Sequence, residues 1–313
     1  AYKSVTKYFD RITRPEQIIS SLEQALQTML DPADCGPACI SLSQDVQGEQ
    51  FDYPEDFFKE RTHKIRRSRP DIDQINDAVK VIKKSKKPLI ISGGGVFYSD
   101  AMKQLSDFAI KHNIPVTHTV MGYSSIKRDH SHFTGVIGGL GSKAANNLAK
   151  ETDVAIVIGT KLADFTTGSW ANFENPNFKL VSINAARFDA NKHMAQAIVG
   201  DAKVTITELS SALNDWKASD DWYNKSRSEL KSWDEYIEKE SGPTNKKLPS
   251  YAHVIGACYR NSDSTDIAVT AAGGLVGETI QVWRPREVST HETEWGFSCM
   301  GYEISGALGI KMA

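Results

Sequence analysis

The sequence predicts an α/β protein built from doubly wound parallel sheets, and three observations carry this prediction. Short apolar runs such as PLIIS (88–92) and DVAIVIG (153–159) alternate with segments of helical periodicity. Continuous apolar runs are typical of parallel strands buried on both faces. Glycine clusters such as GGGV, directly after PLIIS, indicate tight turns between a strand and a helix.

The composition is that of an ordinary globular protein. The 313 residues are 40% hydrophobic, which suffices for two or three domains with their own cores. Lys and Arg number 37 against 39 Asp and Glu, and the formal net charge is -2. The short basic clusters at 66–69 and 83–87 lack interleaved aromatic residues, so we expect no nucleic-acid partner.

Targeting signals are not evident either. No apolar stretch approaches the roughly 20 residues of a membrane span, and the N-terminus has no signal-peptide pattern. The four cysteines are too few and too scattered for a disulfide framework, which favours a reducing compartment. We therefore expect a cytoplasmic protein that does not bind membranes.

The first block, residues 1–46, is predicted to be the end of an α/β domain. It offers one helix, from about Pro15 to Leu30, and then the strand PACISLS. Because one helix and one strand cannot form a domain, we expect the rest of that domain to precede this block. Residues 47–70 are predicted to be a linker.

The second block, residues 71–214, is predicted to be a complete Rossmann-like domain of usual size. Its predicted helices lie near 72–85, 99–112, 141–150 and 202–213. Its predicted strands are PLIIS (88–92), IPVTHT (114–119), DVAIVIG (153–159), KLVSIN (179–184) and AIVG (197–200).

The rest of the chain is predicted to begin another α/β domain. Residues 215–248 are rich in charged residues and are predicted to be a helical linker. The third block, residues 249–313, contains a helix near 250–260 and the strand DIAVTAAG (266–273).

The chain closes with GFSCMGYEISGALGIKMA (296–313), whose apolar residues recur at helical spacing. Gly306 and Gly309 lie inside this predicted helix and each costs about 1 kcal/mol relative to alanine. We therefore expect a close neighbour to pack against the helix.

Two glycine motifs of the middle block resemble phosphate-binding turns. GGGV, at Gly93 to Gly95, lacks the G-x-G-x-x-G spacing and is better explained as a tight turn. GGLGSKAANN matches G-x-G-x-x-A over 139–144 and could offer helix N-terminal amides to a phosphate. Against that function, no clear strand is predicted before it, and Thr160 stands where an acidic residue would be expected. Nucleotide binding at this turn stays open.

Other candidate ligands give weaker signals. Cys35 and Cys39 of CGPAC are separated by three residues rather than two, and Cys39 lies in a predicted strand, so both are interpreted as structural thiols. His118, His130 and His132 lie in one stretch without carboxylate or cysteine partners at ligand spacing, so no metal site is predicted there.

The segment HETEW (291–295) directly precedes the glycine-rich stretch 296–313. Its position corresponds to the carboxyl edge of a parallel sheet, where ligands bind in such folds. Glu292 and Glu294 would share a face of an extended segment. A ligand site and a solvated loop explain this segment equally well.

The order of the segments resembles the three-domain thiamine-diphosphate-dependent enzymes of the acetolactate synthase type. The resemblance covers nearly the whole chain and is carried by GPACISLSQDV, KPLIISGGGV, IVGDAK, AAGG and GFSCMGYEISGALG. DRITRPEQ, SQDVQGE and EWGFSCMGYE are similar to the branch of this family that hydrolyses a trihydroxycyclohexane-1,2-dione ring in inositol catabolism. The chain then looks like a central fragment.

This resemblance implies a division into incomplete outer domains. Residues 1–46 would end the pyrimidine-binding domain, and residues 249–313 would begin the diphosphate-binding domain. The implied cofactors are thiamine diphosphate and Mg²⁺. The family's catalytic glutamate and its G-D-G metal motif have no match here, so we expect the metal ligands beyond Ala313 and this fragment alone to be inactive.

The resemblance also implies a set of cofactor-binding residues. Gly274 and Leu275 match the turn that approaches the diphosphate, and Met300 matches the apolar residue that supports the bent cofactor. The backbone of Ser298 and Met300 would bond the aminopyrimidine ring. The predicted cofactor-binding residues are Gly274, Leu275, Ser298, Cys299, Met300 and Gly301. No catalytic residue is certain, and the candidates for contacting substrate are His291 and Glu294.

Further implications concern the flavin, the oligomer and rival functions. Lys161 stands where flavin-binding relatives have an arginine, and because lysine lacks the planar fork of arginine we expect no FAD. Shared active sites imply a homodimer or homotetramer that binds a cyclic polyol diketone. Two alternatives remain, a carboligase that joins two α-keto acids and a non-catalytic nucleotide-binding module built around 139–144.

Overall fold

The computed structural model describes all 313 residues, which form two compact units, residues 1–67 and 68–313. No helix in either unit combines the length and the apolar character needed to cross a membrane. The second unit contains the segments that matter for the candidate site.

The first unit is a β-α-β arrangement of β1 (Tyr8–Ile12), α1 (Gln17–Leu30) and β2 (Ala38–Leu42), with the two strands parallel. The predicted helix and the predicted strand are both present. The sequence does not predict β1, because Asp10 and Arg11 interrupt its apolar run. In the structure the Asp10 carboxylate accepts a hydrogen bond from the buried Ser21 hydroxyl of α1, which satisfies the charge.

A six-stranded parallel sheet forms the centre of the second unit, with its strands in the order β5-β4-β3-β6-β7-β8. The strands are β3 (Pro88–Ser92), β4 (Val116–His118), β5 (Phe133–Val136), β6 (Val154–Ile158), β7 (Lys179–Asn184) and β8 (Gln196–Val199). The helices are α2 (Ile72–Ile82), α3 (Gly95–Tyr98), α4 (Met102–His112), α5 (Lys143–Glu151), α6 (Asp164–Thr167), α7 (Arg187–Ala190) and α8 (Ala202–Leu213).

Both faces of this sheet are covered, as the continuous apolar runs predict. Every residue of β3 and β6 is buried. Ile156 of β6 packs into one apolar cluster, whereas its neighbours Ala155 and Val157 pack into another on the opposite face. The doubly wound α/β class predicted from the sequence is confirmed.

The edge strand β5 is absent from the sequence prediction because it is short and contains Thr134 and Gly135. Hydroxyl groups make part of its pairing with β4. The Thr134 hydroxyl donates to the Val116 carbonyl at 2.9 Å, and the Thr117 hydroxyl donates to the Gly135 carbonyl at 2.8 Å. The prediction that no clear strand precedes the turn at 139–144 is therefore wrong.

The helix α9 (Asp220–Ser241) occupies most of the segment predicted to be a charged helical linker. It is helical, and it also packs against the rest of the unit, because Trp222, Leu230 and Ile237 are buried. The Trp222 indole N–H donates to the carbonyl of Pro88, at the start of β3, at 2.8 Å. This charged helix therefore contributes to the core of the unit.

A second, two-stranded parallel sheet lies near the end of the chain, with Ala268 opposite His291 and Thr270 opposite Thr293. Its elements are α10 (Tyr251–Arg260), β9 (Ala268–Thr270), α11 (Gly274–Val282), β10 (His291–Thr293) and α12 (Tyr302–Met312). The predicted helix near 250–260, the predicted strand β9 and the final helix are all present.

The apolar side chains of α12 are exposed rather than buried. Ile304 is 81% exposed and Met312 is 79% exposed. The three atoms nearest to a Cβ added at Gly306 all belong to the Tyr302 ring of the same helix, and a Cβ at Gly309 would meet nothing within 4 Å. Within these 313 residues, the expectation of a close neighbour against this helix is therefore not met.

Candidate functional site

The predicted cofactor-binding residues lie in two loops at one edge of the two-stranded sheet. One loop follows β9 and leads through Gly273 into α11, and the other follows β10 and leads through Gly301 into α12. Because β9 and β10 are parallel, their carboxyl ends share an edge. The fold thus brings Gly274 and Leu275 to the same edge as Ser298 to Gly301.

The loop after β9 is open and ends in an uncapped helix. Gly273 has φ +75°, a conformation that favours glycine, and no side chain caps the N-terminus of α11. A Cβ added at Gly273 or Gly274 would meet no atom within 4 Å. The first amides of α11 are therefore accessible, and they lie at the positive end of the helix dipole.

The loop after β10 is organised by the Glu294 carboxylate. This group accepts hydrogen bonds from the amides of Phe297, at 2.8 Å, and Cys299, at 2.7 Å. Hydrogen bonds from the Cys299 amide and then from the Phe297 amide lower the pKa of Glu294. The carboxylate is thus engaged by its own loop and fixes the loop's backbone.

A second carboxylate, that of Glu303, joins the two loops. It accepts from the amides of Ala271 at 3.2 Å and Ala272 at 3.3 Å in the loop after β9. It also accepts from the Gly301 amide at 3.1 Å. Hydrogen bonding, first from its own amide, lowers the pKa of Glu303. Glu303 is not among the site residues predicted from the sequence, although an acidic residue in the first turn of a predicted helix can bind free amides.

The hydroxyl of Ser298 adds one more bond between the loops, donating to the Ala271 carbonyl at 3.3 Å. Ser298 has φ +52°, an uncommon value for a residue with a side chain. Together with Glu303, this bond holds the two loops side by side. The loop conformation is therefore determined by tertiary contacts.

These bonds leave the loop after β10 with an alternating pattern of amides. The amides of Phe297, Cys299 and Gly301 bind carboxylates. The intervening amides of Ser298 and Met300 have no hydrogen-bond partner in the chain. The Met300 side chain is 91% exposed. Two free donors and an exposed apolar side chain therefore occupy the same short segment.

The catalytic candidate His291 lies on β10 and is almost fully buried. Its ring contacts the Tyr123 ring edge to face, with centroids 4.7 Å apart, and its Nε2 atom has no hydrogen-bond partner. Burial lowers the pKa of His291 to about 4, so the ring is neutral near pH 7. The neighbouring Glu292 is exposed, and partial burial raises the pKa of its carboxyl.

A cleft of about 320 Å³ lies between β10 and the carboxyl edge of the six-stranded sheet. Residues from both sides line it, including Tyr98 and Met121 on one side and Ile267, His291 and Glu292 on the other. The sequence alone does not indicate this cleft, because its two walls come from distant segments.

The glycine turns of the middle sheet are filled by backbone. A Cβ added at Gly95 would lie 2.6 Å from the Gly159 Cα atom, and one at Gly141 would lie 2.3 Å from the Val136 carbonyl oxygen. At the turn over 139–144, the Ser142 hydroxyl already caps α5 by accepting from the Ala145 amide at 3.2 Å. These contacts explain the glycines without a ligand.

The remaining candidates do not converge. All four cysteines are free thiols. His130 and His132 are neighbours, but His118 is fully buried on β4, and burial lowers its pKa to about 3. No group of three or more His, Cys, Asp or Glu side chains could hold a metal ion. Lys161 is exposed in the loop after β6.

Known proteins match both the middle of this chain and its whole length. Residues 75–209, which include the six-stranded sheet, match the thiamine pyrophosphate enzyme central domain. The chain therefore contains a thiamine pyrophosphate enzyme central domain at residues 75–209. The match ends before β9, so the residues of the two loops lie outside it.

Curated relatives extend the similarity beyond this central domain to the whole chain. It is 39% identical over 337 aligned residues to a protein of Clostridium tetani, 40% over 336 to one of Clostridium perfringens and 38% over 337 to one of Geobacillus thermodenitrificans. Each of these is named 3D-(3,5/4)-trihydroxycyclohexane-1,2-dione hydrolase. The chain is covered completely and spans about half, 52% to 53%, of the length of these relatives.

Proposed function

We propose that the full-length protein is a thiamine-diphosphate-dependent hydrolase that opens the ring of 3D-(3,5/4)-trihydroxycyclohexane-1,2-dione in myo-inositol catabolism. The bond between the two adjacent carbonyl carbons breaks, and water is added to give 5-deoxy-glucuronate. The names of the relatives support the substrate. The two adjoining loops at the edge of β9 and β10 support the cofactor.

The observation that carries the proposal is the alternating amide pattern of the loop after β10. Carboxylates bind every second amide, which leaves those of Ser298 and Met300 free to bind a ligand. These two backbone groups are the ones expected to bond the aminopyrimidine ring. The exposed Met300 side chain would then contact the cofactor and support its bent shape.

The diphosphate is proposed to lie at the start of α11. The open space at Gly273 and Gly274 admits an anion close to the backbone, where a side chain would interfere. The free amides of Gly274 and Leu275 would donate to it, and the helix dipole favours its negative charge. We propose that Mg²⁺ accompanies the diphosphate and that its ligands follow Ala313 in the full-length protein.

When bound, thiamine diphosphate supplies a nucleophilic carbon and an electron sink for breaking the bond between two carbonyl groups. The residues of this chain position it. Glu303 holds the two loops together, and Glu294 fixes the backbone of the loop after β10. The amides of Ser298 and Met300 would orient the ring. Contacts of His291 and Glu294 with substrate hydroxyls stay predictions. Because the loop amides occupy Glu294, we assign it an orienting role first.

The assembly and the location are also proposals. The exposed apolar side chains of the loop and of α12, including Phe297, Met300, Ile304 and Leu308, support an active site covered by a second subunit. A homodimer or homotetramer would provide that cover. The four free thiols support a cytoplasmic location.

The test uses the full-length protein with thiamine diphosphate and Mg²⁺. We expect it to consume the cyclic dione and to form a product whose mass equals that of the substrate plus one water. Omitting thiamine diphosphate should abolish the reaction. A parallel sample with pyruvate tests the alternative function, because a carboligase that joins two α-keto acids would form acetolactate from pyruvate. Acetolactate formation without dione hydrolysis would refute the proposal.

A further inference from the structure

Tyr123 contacts α11, which begins at the loop after β9, and β10, which ends at the other loop. It follows a short helical turn after β4, and its side chain is buried. Its hydroxyl donates to the Ile280 carbonyl at 2.9 Å and also to the carbonyl of Trp283, both at the C-terminal end of α11. These carbonyls belong to the last turn of the helix, which has no following amides to bind.

The ring of Tyr123 contacts the other element. The His291 ring of β10 packs edge to face against it at 4.7 Å between centroids. Tyr123 also shares an apolar cluster with Val276 and Ile280 of α11. One side chain of the middle domain thus touches both the helix that starts at Gly274 and the strand that precedes the loop of Met300.

The residues after Tyr123 reinforce this contact along the connection between α11 and β10. The Ser289 amide donates to the Ser124 carbonyl at 3.3 Å, and the Arg128 amide donates to the Pro285 carbonyl at 3.2 Å. Lys127 forms an ion pair with Glu287. The segment 123–128 therefore fixes the whole connection to the middle domain.

We propose that Tyr123 is a positioning residue for the thiamine diphosphate site, an inference that rests on the proposed function. Its side-chain hydrogen bonds reach none of the predicted cofactor-binding residues. A helix of nine residues is about 13 Å long and moves as a rigid rod, so a shift at its C-terminus displaces the amides at its N-terminus. By holding Trp283 and His291, Tyr123 sets the distance between the diphosphate end and the ring end of the site.

Burial raises the pKa of Tyr123, so its hydroxyl keeps its proton throughout the neutral range. The donor is therefore available at any pH where the enzyme would act. The conservative change Tyr123→Phe removes only this donor and keeps the ring that contacts His291. It is the variant of choice, because the packing of the apolar cluster is preserved.

The matched control is Thr152→Val. The Thr152 hydroxyl is also buried and also donates to two carbonyls, those of Lys87 at 2.6 Å and Val154 at 3.2 Å. Both hydrogen bonds join residues of the middle domain, and neither involves a residue of α11 or β10. Both variants lose the same kind of hydrogen bond, so a general loss of stability should appear in both.

The experiment measures thiamine diphosphate affinity by calorimetry, the thermal midpoint and amide hydrogen exchange in full-length wild type and both variants. We expect the thermal midpoint to fall in both variants. Only Tyr123→Phe should raise the dissociation constant for thiamine diphosphate, by about fivefold. Exchange over 278–283 should rise in Tyr123→Phe without cofactor. Thr152→Val should bind within about twofold of wild type.

The outcomes separate the two proposals. If wild type binds thiamine diphosphate and Tyr123→Phe binds it equally well, the positioning role is overturned while the proposed function stands. Equal weakening in Thr152→Val also overturns it, because a general effect would then explain the loss. If wild type itself does not bind thiamine diphosphate, the proposed function fails and the positioning role fails with it.

Discussion

Glycine-rich turns follow parallel strands in two regions of the second unit, and they differ in what surrounds them. After β3 and β6, Gly95 and Gly159 bring two backbones into contact, and an added Cβ would lie 2.6 Å from a neighbouring Cα atom. After β9, Gly273 and Gly274 face open space. The first turns are closed by the protein itself, whereas the second is available to a ligand.

A glycine cluster at the end of a strand can therefore serve either packing or ligand binding. In the middle sheet the absence of a side chain lets two backbone segments pack against each other, so these glycines have a structural role. At the edge of β9 and β10 the missing side chain permits access to helix amides, so its value lies in binding. Substitutions in the two regions should therefore affect different properties.

The largest expected effect is on stability, in the middle sheet. In Gly95→Ala the new methyl group overlaps the backbone of Gly159, which cannot move without disturbing β6. We expect the free energy of unfolding to fall by about 2–4 kcal/mol, measured by urea denaturation. Gly139→Ala is the control, because its Cβ would meet one atom at an ordinary 3.9 Å. Equal stability of Gly95→Ala and wild type would contradict the packing role assigned to the glycines of the middle sheet.

A second expected effect concerns two of the buried histidines, His118 on β4 of the middle sheet and His291 on β10. Burial lowers the pKa of His118 to about 3 and that of His291 to about 4, from 6.5. Between pH 6.5 and 4 the unfolded chain binds these protons and the folded chain does not, so stability falls as the pH falls. Each histidine contributes up to about 1.4 kcal/mol per pH unit.

The measurement is the free energy of unfolding from pH 4 to 8 in wild type and in His118→Phe. The variant should lose part of the slope below pH 6.5, whatever its stability at pH 8. His253 is only half-buried, in the first turn of α10, where its side chain takes part in the helix cap. An unchanged slope in His118→Phe would show that this ring is protonated in the folded protein.

The next effect is on cofactor affinity, at the turn after β9. Gly274→Val places a side chain over the amides proposed to bind diphosphate, in space that the protein leaves open. We expect thiamine diphosphate to bind at least about tenfold more weakly to the full-length variant, measured by calorimetry. Stability should change by less than about 0.5 kcal/mol. If Gly274→Val bound thiamine diphosphate with full affinity but lost stability, the binding role assigned to this turn would be contradicted.

The smallest expected effect is at Met300. In full-length Met300→Ala we expect thiamine diphosphate to activate the enzyme about fivefold less effectively, because the exposed side chain no longer supports the cofactor. Phe297→Ala is the matched control, since Phe297 is 90% exposed in the same loop and is not assigned a cofactor contact. Unchanged activation and affinity in Met300→Ala would refute its assignment.

Most of the middle sheet could be predicted from the sequence. Strand β7 and helix α8 have the predicted ends, because a buried apolar run and a regular helical period are local signals. The strands β1 and β5 could not be predicted, since charged and hydroxyl residues interrupt them. Contacts from distant segments, such as the Ser21 hydroxyl at Asp10, satisfy those residues.

The α/β class and most elements of the middle sheet follow from local sequence patterns, and the resemblance to a known family points to the two short segments proposed to hold the cofactor. What each group in those segments does depends on the tertiary structure. In the folded chain the carboxylates of Glu294 and Glu303 accept hydrogen bonds from loop amides, whereas the amides of Ser298 and Met300 stay free. His291 is buried against Tyr123. The reason is that hydrogen-bond partners and burial depend on residues far away in the chain, which no local pattern encodes.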